Sequence, residues 1–120
     1  MSEIIDVNKK NWHDFSFEKL ILDDNIDIFL TDNKNSIYHI RCENCIGILS
    51  LGLWNEGIIE QMKSIKNSEL SKMAKETIIE NNKMLVDENL DRDWIELKIE
   101  FLDSSKIQII CSKIVIVGIM

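Results

Sequence analysis

The chain has 120 residues and a mass of 14.0 kDa, the length of one domain, because two separate cores at this size would each be too small to stand alone. Ile, Leu, Val and Phe supply 41 residues, about a third of the chain, which excludes intrinsic disorder. Twenty-one acidic against 14 basic residues leave a net charge of -7, which argues against direct nucleic-acid binding and suits a basic partner.

The opening Met1-Ser2-Glu3-Ile4-Ile5-Asp6 lacks the basic-then-apolar order of a signal peptide, and no stretch is long enough for a membrane span. Three cysteines are an odd count for a disulfide framework, so the expectation is a cytoplasmic protein with no membrane partner. Polar breaks at Asp23-Asp24-Asn25 and Thr31-Asp32-Asn33-Lys34-Asn35-Ser36 divide the first half into strands. Phe15, Phe17 and Ile21 share one parity, and Ile26, Ile28 and Leu30 alternate with Asp27 and Thr31 as a half-buried strand requires. A third strand is expected over Ile37 to Cys42. A fourth, from Ile46 to Trp54, is apolar on both faces and is expected at the centre of the sheet.

The period then changes. Ile58, Ile59, Met62 and Ile65 fit a short amphipathic helix starting near Asn55, and Leu70, Met73, Ala74, Thr77 and Ile78 fit a longer one, with Ser68 as N-cap and an end near Asn81 or Asn82. Asp87 to Asp93 reads as a solvated acidic connection. In Trp94 to Phe101, Ile95, Leu97, Ile99 and Phe101 fall on one face, with Glu96, Lys98 and Glu100 on the wet one. Asp103-Ser104-Ser105-Lys106 makes a hairpin turn, and Ile107 to Val117 returns with a change of face near Ile109-Ile110. The expectation is a single α+β domain over 1–120: an antiparallel sheet of about six strands, in the order β-β-β-β-α-α-β-β, with one or two helices packed to one side.

Chemical motifs are sparse. Cys42 and Cys45 form a C-x-x-C with His39 three residues earlier, a partial zinc or redox set, but His13 and Cys111 come singly and no second paired knuckle exists. The two cysteines read as small apolar residues flanking a turn, so no metal and no cofactor is expected. The two histidines lie in no stretch that pairs a nucleophile with an orienting carboxylate, and Gly47, Gly52, Gly57 and Gly118 form no phosphate loop. The expectation is therefore a protein that is not an enzyme. Trp54 reads as a plug between sheet and helix or as an interface anchor.

Phe15-Ser16-Phe17 opening a hairpin, Gly52-Leu53-Trp54-Asn55-Glu56 before a helix, and Trp94-Ile95-Glu96-Leu97 leading into Phe101-Leu102-Asp103-Ser104 together resemble small bacterial immunity proteins. These are encoded beside polymorphic or contact-dependent toxins. The resemblance implies a cytoplasmic protein without catalysis, which binds a cognate toxin domain and blocks its active site or a required surface. An acidic binder has a Coulombic reason to associate quickly with a basic, nuclease-type toxin. Residues 87–105 hold seven acidic groups against two basic ones, so the expected contacts are Asp87, Glu88, Asp91, Asp93, Glu96 and Glu100, with Trp54. The alternative is a small non-catalytic ligand-binding or regulatory α+β module.

Overall fold

The computed structural model describes residues 3–52, 57–81 and 93–119. The chain runs β1 (Glu3–Ile4), a 3₁₀ turn (Val7–Lys9), β2 (Ser16–Leu22), β3 (Ile26–Thr31), β4 (Ile37–Glu43), β5 (Gly47–Leu51), β6 (Ile59–Lys66), α1 (Glu69–Asn81), β7 (Ile95–Phe101), β8 (Lys106–Cys111) and β9 (Lys113–Ile119). The strands form two sheets, one ordered β1-β9-β4-β3-β2 and the other β5-β8-β7-β6. Every pairing within them is antiparallel. No helix among the described residues is long and apolar enough to cross a membrane.

The inward faces of both sheets meet in one core. Ile28, Leu30 and Ile40 from the five-stranded sheet pack in the same cluster as Leu97, Ile99, Phe101, Ile107 and Ile109 from the four-stranded one. Phe17 and Phe101 meet edge-to-face across it, with ring centroids 5.5 Å apart. At one end Trp12, Phe15 and Tyr38 form an aromatic plug, and the Trp12 indole N–H donates to the Val7 carbonyl at 2.9 Å, so its one polar atom is buried with a partner. A smaller cluster, Trp94 and Ile110 with Ile46, Leu70 and Ala74, holds α1 on the outer face of the four-stranded sheet.

An antiparallel α+β architecture is what the alternation predicts, but strand and helix counts differ in three places. The stretch expected as a short helix, Ile58 to Ile65, is mostly strand β6. Its register shifts between Ile59 and Gln61, and that extra residue turns Ile59 and Met62, three apart, onto the same buried face, which imitates a helical period. Strand β5 lies at the edge of its sheet, not at the centre. Its apolar run is not buried: Ile48, Leu49 and Leu51 are all exposed, Ile48 and Leu49 beside a groove under α1, while Leu53 and Trp54 lie outside the described residues. The final run splits at Ser112: β8 stays in one sheet and β9 crosses to the other, and with β1 and β6 this makes nine strands in two sheets among the described residues in place of about six in one. The apparent change of face at Ile109-Ile110 has the same origin, since β8 is interior and covered by the core on one side and by α1 on the other. The longer helix is where the period places it, and the Ser71 amide donates to the Ser68 hydroxyl at 3.2 Å, as an N-cap requires.

Candidate functional site

Of the expected contacts, Asp87, Glu88, Asp91 and Trp54 lie outside the described residues. Asp93 is exposed and accepts from the Asn67 side-chain amide at 3.1 Å. Glu96 is not on a wet face. It is 5% exposed beneath the start of α1, accepting from the Ser68 hydroxyl at 2.8 Å and from the Gln108 amide at 3.3 Å. Glu100 is half-buried among cations, 3.4 Å from Lys98 and 4.0 Å from Lys63. Burial raises its pKa, yet the Gln61 hydrogen bond and the two lysines outweigh that and hold it below the usual carboxylate value. An acidic stripe along β7 is therefore corrected: Lys63, Lys98 and Lys106 from three strands share that face, and a reading of one strand alone cannot see its neighbours' lysines.

The His39, Cys42 and Cys45 set does not assemble. His39 points to the outer face of β4, while Cys42, three residues on, is in the core. The third cysteine joins the other two. A hydrogen bond with the Cys111 thiol, and then burial, push the Cys42 thiol well up, and burial with the nearby Cys111 pushes Cys45 up to about 12. Cys45 donates to the Cys42 carbonyl at 3.1 Å. The Cys42 and Cys45 thiols stay protonated at neutral pH, the state of structural rather than nucleophilic cysteine. Among the described residues no group of three or more His, Cys, Asp or Glu is placed to hold a metal.

A different constellation forms on the outer face of the five-stranded sheet. The hairpin of β3 and β4 sets Asp27 opposite Arg41 and Phe29 opposite His39, and alternation turns all four away from the core. One Asp27 oxygen accepts from His39 Nε2 at 2.7 Å and from Arg41 Nε at 2.9 Å. The Asp27 and His39 side chains are only 17% and 18% exposed. Burial raises the Asp27 pKa, but the His39 and Arg41 hydrogen bonds and charges overcome it and lower the carboxyl below its ordinary value.

Phe29 stacks on His39 with ring centroids 4.3 Å apart and 21° between planes, and Lys19 Nζ sits 4.6 Å from the Phe29 centroid. Beside this row, Glu18, Lys19, Phe29, Thr31, Asn35 and Ile37 line a groove, and the Thr31 hydroxyl donates to Glu18 at 2.7 Å. Exposed Glu18, Asp23 and Asp24, with half-buried Asp32 and Glu43, edge the same sheet, and Ile21 on β2 is exposed. The sequence carries a signal for this site. Asp27 and Phe29, like His39 and Arg41, are spaced by two on strands joined by one turn, and pairing them about that turn brings all four together.

Comparisons with protein-family models, with curated proteins and with solved structures find no match to this chain.

Proposed function

We propose that this protein is a non-catalytic inhibitor of the immunity type, which binds a basic toxin domain and covers its active site or a surface that it needs. The observation that supports this reading best is the outer face of the five-stranded sheet. There an aromatic pair and an arginine are fixed by Asp27 before any partner arrives, and acidic residues border them. Aromatic and arginine side chains held rigid at the centre of a patch are the residues that dominate protein interfaces, and prior ordering reduces the entropy lost on binding. Arg41 is neutralised by Asp27, so the patch does not repel a cationic partner. The net charge of -7 steers such a partner inward.

The test uses the protein encoded beside this one. Its C-terminal domain should be toxic when expressed alone, and co-expression of this chain should restore growth. Association should slow as salt rises, and Asp23→Lys with Asp24→Lys should slow it further without changing the melting temperature. Phe29→Ala and Arg41→Ala should chiefly speed dissociation. Failure of the neighbour to bind, or variants that bind as the parent does, would overturn the assignment. The groove over Phe29 favours a second reading, a small-molecule module, which predicts an aromatic ligand that protects Phe29 and His39 without any protein partner.

A further inference from the structure

Cys111 is far in sequence from Cys42 and Cys45, yet two backbone hydrogen bonds gather all three at one corner of the molecule. The Ile46 N–H donates to the Ile110 carbonyl at 2.9 Å, and the Ser112 N–H donates to the Glu43 carbonyl at 3.0 Å. Cys111, between Ile110 and Ser112, is thereby held against the turn that joins Cys42 to Cys45. The Asn44 side-chain amide completes the clamp by donating to the Ser112 hydroxyl at 3.0 Å, from a residue whose φ of +55° bends the turn.

Alternation then aims the side chains. Cys42 follows Ile40 on the inward face of the five-stranded sheet, and Cys111 follows Ile107 and Ile109 on the inward face of the four-stranded one. The two thiols meet across the core, hydrogen-bonded to each other, close to where the chain leaves β8 for β9 and changes sheet. Both residues are 0% exposed. Cys45 differs from them: it is half-buried and packs against the same cluster, with its thiol 3.1 Å from the Cys42 carbonyl, so it stands between the buried pair and solvent.

Two buried thiols pack as small apolar groups, and in contact they are also a two-electron couple. We propose that Cys42 and Cys111 close a disulfide between the two sheets under oxidation, with Cys45 as the thiol through which the oxidant enters. The oxidant is a small disulfide such as oxidised glutathione. Cys45 loses its proton to water and attacks, forming a mixed disulfide and releasing one reduced thiol. Cys111, deprotonated in turn, displaces the second thiol and forms a Cys45–Cys111 bond. Cys42 then attacks the Cys111 sulfur, which leaves a Cys42–Cys111 disulfide and returns Cys45 to a thiol. In sum the protein gives up two protons and two electrons, and the small disulfide becomes two thiols. Burial keeps Cys42 and Cys45 protonated at neutral pH, so each exchange is slow and the bond responds to sustained oxidation. Once formed, it encloses residues 42 to 111 in one covalent loop, which restricts the unfolded chain and ties one sheet to the other.

Thiol counting and peptide mapping test this. The reduced parent, held with oxidised glutathione at about pH 8.5 and then alkylated in denaturant, should fall from three free thiols to one. Mapping should find Cys42 joined to Cys111 and Cys45 alkylated. The oxidised protein should melt at a higher temperature than the reduced one, and dithiothreitol should reverse the shift. Cys45→Ser should reach the same disulfide about tenfold or more slowly, because the surface step is gone. A parent that keeps three thiols, or a final bond that includes Cys45, would overturn the proposal. So would a Cys45→Ser variant that oxidises as fast as the parent, since the core pair would then be reached without a relay.

Discussion

The two sheets share one core but spend their outer faces differently. The five-stranded sheet turns Asp27, Phe29, His39 and Arg41 outward, and the helix packs on the other sheet. The four-stranded sheet has the same alternation, yet α1 lies across one of its rows, and Glu96 and Ser71 are buried there with hydrogen-bond partners. A polar side chain on the outward face of a strand is therefore a candidate contact on one sheet and a helix anchor on the other. What separates the two cases is the element that packs above, not the strand's own pattern.

The largest expected effects bear on what the sheets have in common. Leu30→Ala and Leu97→Ala remove fully buried side chains from opposite sheets of one cluster, and each should cost about 2–5 kcal/mol in urea denaturation. Both variants should unfold in a single transition. Two transitions in Leu30→Ala, one of them unshifted, would mean that the sheets do not melt as a unit.

Glycines separate the outer faces next. A Cβ at Gly47 would lie 3.2 Å from the Ala74 Cβ, whereas at Gly118, on the open sheet, it would meet nothing within 4 Å. Gly47→Val should thus lift α1 and cost about 1–3 kcal/mol, and Gly118→Val should be neutral or slightly stabilising. Equal losses at both positions would break the distinction between a roofed and an open face. Glutamates on one strand repeat the contrast on a smaller scale. Glu96→Ala leaves the Ser68 hydroxyl and the Gln108 amide without their acceptor and should cost about 1–3 kcal/mol, while Glu100→Ala should stay within about 0.5–1 kcal/mol.

Much of this was legible before the fold was known. Ile26, Ile28 and Leu30, or Leu97, Ile99 and Phe101, show the core face by alternation, and Ser68 marks the start of α1. Strand β6 was hidden because a bulge converts a period of two into a spacing of three. The edge position of β5 was hidden because Ile48, Leu49 and Leu51 stay exposed at the edge beside the groove under α1, and such an apolar run reads like a strand at the centre of a sheet. The Asp27 cluster needed only a register that a hairpin can supply. The burial of Glu96, by contrast, depends on a helix 28 residues away from it in sequence at Ser68, a long-range contact that no local pattern carries.

The smallest effect is one of pH, and it compares the two outer faces through their carboxylates. The Asp27 carboxyl has a folded pKa below its ordinary value of 3.8, so it contributes stability that is fully present above that value and is lost as pH falls through the folded pKa. Asp27→Asn keeps the shape of the side chain and removes the charge that His39 and Arg41 share. The parent's melting temperature should therefore exceed the variant's at pH 7, and the gap should narrow as the pH is lowered below 3.8 and through the folded pKa. Glu100 is also lowered, and Glu100→Gln should show the same sign. Its carboxylate is more exposed than that of Asp27 and its lysines reach it at 3.4 and 4.0 Å, so solvent screens the pair and the step should be shallower. A gap between parent and Asp27→Asn that stays constant down to low pH would mean that the triad on the open sheet is held by shape alone. The rigidity claimed for the docking face would then owe nothing to its charge.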